Sequence, residues 1–185
     1  MKLFVGLGNP GKKYALQRHN VGFWILDQFA ADHGMTFQKK DFKGRVAKEK
    51  IGKDEVLLLK PETFMNLSGA SVREAASFYR VALQDIVVVH DDLDIERGVI
   101  RFATNRGPAG NNGVASIIET LGTKEFCRLR FGIGRPGKEW DPADYVLSPF
   151  LPEEQPEIEA GVKKASKALA MFLEKGLSFV QQEYH

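Results

Sequence analysis

The residues able to do chemistry in this chain are few and widely separated. His19 stands in Arg18-His19-Asn20, just ahead of an apolar run with helical spacing. Imidazole titrates near neutral pH, so it is the natural general base. A helix start disfavours the imidazolium, so His19 is expected to stay in its neutral base form. A histidine there also suits a purely structural role. Asp91, Asp92 and Asp94 follow the run Ile86-Val87-Val88-Val89. Carboxylates at the C-terminal end of a central α/β strand lie where such sheets bind ligands. One of them could orient a histidine and stabilise its charged form. The cluster could instead hold Mg²⁺ through oxygen ligands, or be a solvated turn. Asn66 and Asn112 stand at loop-to-helix junctions, and Asn9 lies in a Gly/Pro-rich loop. An amide offers a donor and an acceptor without charge. That suits a substrate carbonyl or a developing oxyanion, and it equally suits a helix cap.

Other features compete for attention. Gly6-x-Gly8-x-x-Gly11 after a strand matches a dinucleotide fingerprint. Pro10 interrupts it, the helix starts some eight residues later, and Asp27 falls inside that helix. The alternatives are a turn that needs glycine angles, or a loop aiming Asn9 at a site. His90 closes an apolar strand as a core residue would, and His33 ends a helix before Gly34. Cys127, the one cysteine, excludes an internal disulfide and any zinc site needing two thiolates from this chain. It reads as core rather than nucleophile.

The elements that must position these groups follow from hydrophobic spacing. Leu3-Phe4-Val5, Val56–Leu59, Ile86–Val89, Val99–Phe102 and Leu129–Ile133 read as strands. Val21–Gly34, Ser68–Arg80, Gly113 to about Leu121 and about Glu153–Glu174 read as helices, with Ser68 a candidate cap. Lys39–Lys60 looks like adjacent strands. Continuously apolar strands alternating with helices predict a single α/β domain over residues 1–185. Its sheet is twisted and mixed but largely parallel, with helices on both faces.

The chain has 185 residues and a formal charge of +2. That total argues against a uniformly basic nucleic-acid coat, but it hides an uneven distribution. Residues 1–60 carry twelve Lys/Arg against six Asp/Glu, which permits an anionic partner. Arg101, Arg106, Arg128 and Arg130 are further candidates for that partner. No apolar run reaches the ~18 residues of a membrane span, and Gly6 comes too early for a secretory signal. A cytoplasmic location with no membrane partner is expected.

Taken in order, the motifs say more than they do singly. Gly6-Leu7-Gly8-Asn9-Pro10-Gly11, Tyr14, Arg18-His19-Asn20-Val21-Gly22 and Lys60 through Gly69 with Phe64-Met65-Asn66 come first. His90-Asp91-Asp92-Leu93-Asp94, Gly110-x-Asn112-Gly113 and Arg128 through Pro136 follow. This set closely resembles bacterial peptidyl-tRNA hydrolase from residue 3 to about residue 150, and more loosely beyond.

The resemblance implies an enzyme that cleaves the ester between a peptide and the 3′ end of tRNA, freeing tRNA from peptides dropped by the ribosome. It implies no metal or organic cofactor, no obligate protein partner and a monomer. It gives His19 the role of base, Asp91 that of its support, and Asn9 contact with the peptide. Asn66 and Asn112 would position substrate and water. Tyr14, Phe64 and Met65 would form the surface for the tRNA end and peptide. Arg130, with Arg101 or Arg106, would meet the tRNA phosphate. Two positions depart from the family's pattern. Asn111 stands where a histidine is common, and Ala103 stands where a lysine is often found. An RNA-binding module on the same fold without hydrolysis is the competing class. The retained Asn9, His19, Asp91 and Asn112 favour the enzyme.

Overall fold

The computed structural model describes residues 1–185. Its seven strands are β1 (Lys2–Gly6), β2 (Lys39–Asp41), β3 (Gly44–Ile51), β4 (Asp54–Pro61), β5 (Ile86–Asp92), β6 (Ile100–Ala103) and β7 (Cys127–Gly132). They form one sheet in the order β2-β3-β4-β1-β5-β7-β6. The central pairs β1–β4, β1–β5 and β5–β7 are parallel, and the outer pairs are antiparallel. The apolar runs of β1, β4 and β5 are buried because helices cover both faces. On one face lie α1 (Val21–Asp32) and α5 (Gln155–Lys175), closing a core around Phe4, Phe29, Leu129 and Phe172. On the other lie α2 (Ser68–Phe78) and α3 (Asn112–Leu121), around Val5, Val72, Val88 and Ile117. The predicted α/β class, mixed sheet and two-sided covering are therefore observed. No helix is long and apolar enough to cross a membrane.

Several boundaries differ from the sequence expectation. The strand β5 runs on through His90, Asp91 and Asp92, so these polar groups end a strand rather than follow one. Ser68 is no N-cap. The 3₁₀ turn Met65–Leu67 leads straight into α2, and the Ser68 hydroxyl donates to Met65 O at 2.8 Å. Two short helices, α4 (Pro142–Val146) and α6 (Leu177–Glu183), were not anticipated. Residues after α6 lie against the edge strand β6, where the Phe102 N–H donates to His185 Nε2 at 2.7 Å. Gln181 Nε2 donates to Phe102 O at 3.4 Å.

One close approach sets the geometry of everything that follows. A Cβ on Gly22 would lie 2.5 Å from Val89 O and 2.6 Å from Leu7 N. The first turn of α1 therefore rests directly on the ends of β1 and β5, which brings the residues preceding it to the C-terminal edge of the sheet.

Candidate active site

The loop after β1 carries Asn9. Asn20 holds that residue by its backbone: Asn20 Oδ1 accepts from Asn9 N at 2.9 Å, and Asn20 Nδ2 donates to Asn9 O at 2.9 Å. The Asn9 side-chain oxygen accepts from Met65 N at 3.1 Å. An amide has two ends, so the Nδ2 of Asn9 is the end left to donate.

His19 sits in the 3₁₀ turn Arg18–Asn20 that precedes α1. The neighbouring Arg18 fixes that turn. Its guanidinium is 1% exposed, stacks over the Tyr145 ring at 4.0 Å and pairs with Glu154 at 2.9 Å. Arg18 N donates to Ser148 O at 2.9 Å. The turn is thus fastened to the segment containing α4.

The His19 Nδ1 lies 2.9 Å from Asp91 Oδ1 and 2.8 Å from Oδ2. A carboxylate only accepts, so Nδ1 carries the proton and Nε2 the lone pair. Burial of His19 lowers its affinity for a proton, and the charge and hydrogen bond of Asp91 more than offset this. The result is a pKa raised from the ordinary imidazole value. This corrects the expectation drawn from its place at a helix start: an adjacent carboxylate outweighs partial charges on N–H groups.

The three acidic residues face three different basic partners. Asp91 faces His19, Asp92 accepts from Arg130 Nε at 2.8 Å, and Asp94 pairs with Arg135 at 2.6 Å. Divergent carboxylates do not form an oxygen cage, so the Mg²⁺ reading is not carried. The dinucleotide reading also gives way. A Cβ on Gly8 would meet the Phe23 ring at 2.8 Å, so that glycine serves the packing of α1. Asp27 binds Lys60 at 2.6 Å instead of presenting a free carboxylate. Cys127 is buried, which pushes its thiol up to about 12 and leaves it inert. His90 is buried and donates through Nδ1 to Asp91 O at 2.8 Å; burial lowers its pKa, as a core histidine requires.

These groups border a cleft of about 660 Å³. Of the candidate residues, Asn9, His19, Phe64, Met65, Asn66, Asp91 and Asn112 all line it. Asn66 and Asn112 are exposed there. The amide that caps α3 is Asn111, one residue earlier than the candidate. Tyr14 is not in the lining but packs edge-on against Phe64, with ring centroids 6.1 Å apart. Arg130 and Arg101 lie outside the cleft lining, opposite one another on β7 and β6. Arg128 is withdrawn from any surface role. It is 1% exposed and donates to Gly107 O and Lys124 O, both at 2.9 Å. Sequence reading missed the holding roles of Arg18, Asn20 and Asn111. The Arg18-His19-Asn20 motif contained two of them but not their partners.

Comparison with known proteins identifies the family. The family model described as peptidyl-tRNA hydrolase matches residues 3–185. The peptidyl-tRNA hydrolase of Symbiobacterium thermophilum is 46% identical over 186 residues, covering 100% of this chain and 98% of that protein. That of Desulfitobacterium hafniense is 48% identical over 176 residues, covering 95% of each. The crystal structure of peptidyl-tRNA hydrolase from Acinetobacter baumannii superposes with a TM-score of 0.93 at 36% identity, over 100% of this chain and 94% of that one. With its fold and its sequence in agreement, the chain belongs to the peptidyl-tRNA hydrolase family.

Proposed function

We propose that this hydrolase cleaves the ester of peptidyl-tRNA with a water activated by His19. The observation that carries this is the contact of His19 Nδ1 with both oxygens of Asp91, at 2.9 and 2.8 Å. His19 Nε2 takes a proton from water as the oxygen adds to the ester carbonyl. Asp91 stabilises the imidazolium that forms. Collapse of the tetrahedral intermediate expels the ribose oxygen of the tRNA, which takes the proton from His19. An ester leaving group is good enough for water and one base, so no covalent nucleophile is required.

Asn9 donates through Nδ2 to the peptide, and the exposed amides of Asn66 and Asn112 orient water and substrate and meet the developing oxyanion. Backbone-directed amides suit a substrate whose peptide varies. Phe64 with Tyr14, and Met65 beneath them, offer an apolar surface for the single-stranded 3′ end and the peptide. Arg130 and Arg101 meet tRNA phosphate. The same reading has the enzyme working as a monomer in the cytoplasm on peptidyl-tRNA shed by ribosomes.

The test is release of N-acetylated amino acid from tRNA, with unblocked aminoacyl-tRNA as the control. The expected result is turnover of the blocked substrate alone. His19→Ala should abolish it while tRNA binding survives. An unchanged rate in His19→Ala would remove His19 from the base role.

A further inference from the structure

Asn111 takes no part in the chemistry above, yet its side chain is fully committed. It is buried beside the cleft. Its Oδ1 accepts from Gly113 N at 2.9 Å and Val114 N at 3.1 Å, which caps α3. Its Nδ2 donates to Asp91 Oδ1 at 3.1 Å and, less closely, to Asp91 O at 3.4 Å. The amide cannot be turned over. Reversal would set its NH₂ against two helix N–H groups and its oxygen against a carboxylate. The first turn of α3 therefore dictates that a donor faces Asp91.

Asp91 Oδ1 is thus held between two donors, His19 Nδ1 on one side and Asn111 Nδ2 on the other. His90 Nδ1 secures the Asp91 carbonyl. Among the residues lining the cleft, the titratable ones are His19 and Asp91. Behind them on β5 lie neutral His90 and Asp92, the latter paired with Arg130 from β7. Arg128 of β7 acts on His90.

The geometry points to Asn111 as a positioning residue that ties the orientation of the Asp91 carboxylate, and through it the protonation of His19, to the N-terminus of α3. Being neutral, the amide fixes the carboxylate without pairing with its charge. Its hydrogen bond draws on the same oxygen that serves the imidazolium, so it moderates the proton affinity of His19 while holding the pair in register. The kinetic side of this inference rests on His19 acting as base; the hold on Asp91 does not.

Asn111→Asp is the informative variant. Aspartate is as good an N-cap as asparagine, so α3 is preserved. It presents a carboxylate oxygen to Asp91 where the donor stood. A second negative charge should raise the His19 pKa by about one unit or more, read from its imidazole protons by NMR. The acid limb of kcat should move up in step, because the base must be unprotonated to act. Asn111→Ser keeps a capping oxygen and removes the amide donor. It should lower kcat by roughly tenfold with KM little changed, and move the limb upward by a smaller amount. Asn111→Ser should unfold near the parent's temperature, and Asn111→Asp, which sets two carboxylates against each other, below it. A folded Asn111→Ser whose kcat and His19 titration both match the parent's overturns the inference; a parental His19 titration in Asn111→Asp alone would reflect a proton shared between the two carboxylates. An NMR titration that moves while the kcat limb stays put upholds the hold on Asp91 and instead overturns His19 as the base.

Discussion

Asn20 grips Asn9 by both of its backbone polar atoms, accepting from its N–H and donating to its carbonyl at 2.9 Å each. One side-chain amide thereby does what a neighbouring strand would do for an extended residue. The loop after β1 has no strand beside it at that point, and the amide keeps it in one conformation. Asn20→Ala strands two buried backbone groups, at about 1–3 kcal/mol each. Urea denaturation should register a loss in that range. The activity should fall further, by about 10²-fold in kcat/KM, because the proposed contact of Asn9 with the peptide would be lost. Wild-type activity in a measurably destabilised Asn20→Ala would show that the grip serves the fold alone.

Asp91→Asn reverses the electrostatic balance at His19. Burial remains, and the charge that offset it is gone. The His19 pKa should then fall below the ordinary imidazole value, and the acid limb of the kcat profile should move to lower pH. The rate at its plateau should drop about 10²–10⁴-fold, since the imidazolium is no longer stabilised. The same pair sets a stability trend. The native state holds this proton more tightly than the unfolded chain. Its contribution is therefore fully present below the ordinary value of 6.5 and is lost as pH rises through the raised one. Unfolding free energies of parent and Asp91→Asn should differ most on the acid side of that window and converge above it.

Glu154 and Arg97 offer a contrast in burial. Arg18 and Glu154 have side chains 1% and 6% exposed, and Arg97, which also binds Glu154, is 38% exposed. Glu154→Ala leaves the Arg18 guanidinium buried without its carboxylate, which should cost about 3–5 kcal/mol. Arg97→Ala should cost under about 1 kcal/mol. Thermal or urea unfolding separates the two. Because Arg18 precedes His19, Glu154→Ala should also reduce kcat at temperatures where it is still folded.

Arg101→Ala tests the proposed phosphate contact. The slope of log KM against log salt for full-length peptidyl-tRNA should shallow by about 0.7–0.9, the value of one released counterion. A blocked aminoacyl ester on a short 3′ fragment should be cleaved as before. An unaltered slope would move the contact away from β6.

Activity should persist in EDTA, since Asp91, Asp92 and Asp94 are each committed to a different partner. Strong inhibition by chelation would restore the magnesium reading of that cluster.

The parts of this molecule legible in its sequence are those fixed by local pattern. Val56–Leu59 and Ile86–Val89 are apolar without a break, which a strand covered on both sides requires, and both lie in central strands. The extension of β5 through His90, Asp91 and Asp92 was hidden because three polar residues end a strand only when other elements supply their partners. Those partners are His19, Asn111 and Arg130. The capping amide of α3 was ambiguous for a related reason: Asn111 and Asn112 are equal in type, and only the path of the backbone decides which turns inward. Arg18 reads as one more surface cation until Glu154, 136 residues away, is brought against it. The same step from count to location revises the basic excess of the first 60 residues, part of which is spent on Asp27, Asp85 and Glu154.

The two borders of the sheet offer another chain little to pair with; beyond β2, the unpartnered outer side of β3 carries Lys48, Glu49 and Lys50. At β6 the Phe102 N–H and carbonyl are occupied by His185 and Gln181. At the opposite border β2 is three residues long and begins with two lysines. Short, charged or occupied edges resist the addition of a further strand. An extended polypeptide is therefore discouraged from joining either border as a further strand. On the proposed reading, the peptide is held in the cleft by side chains rather than by a strand ladder, a mode that reads little of its sequence and would let go of it readily once the ester is cut.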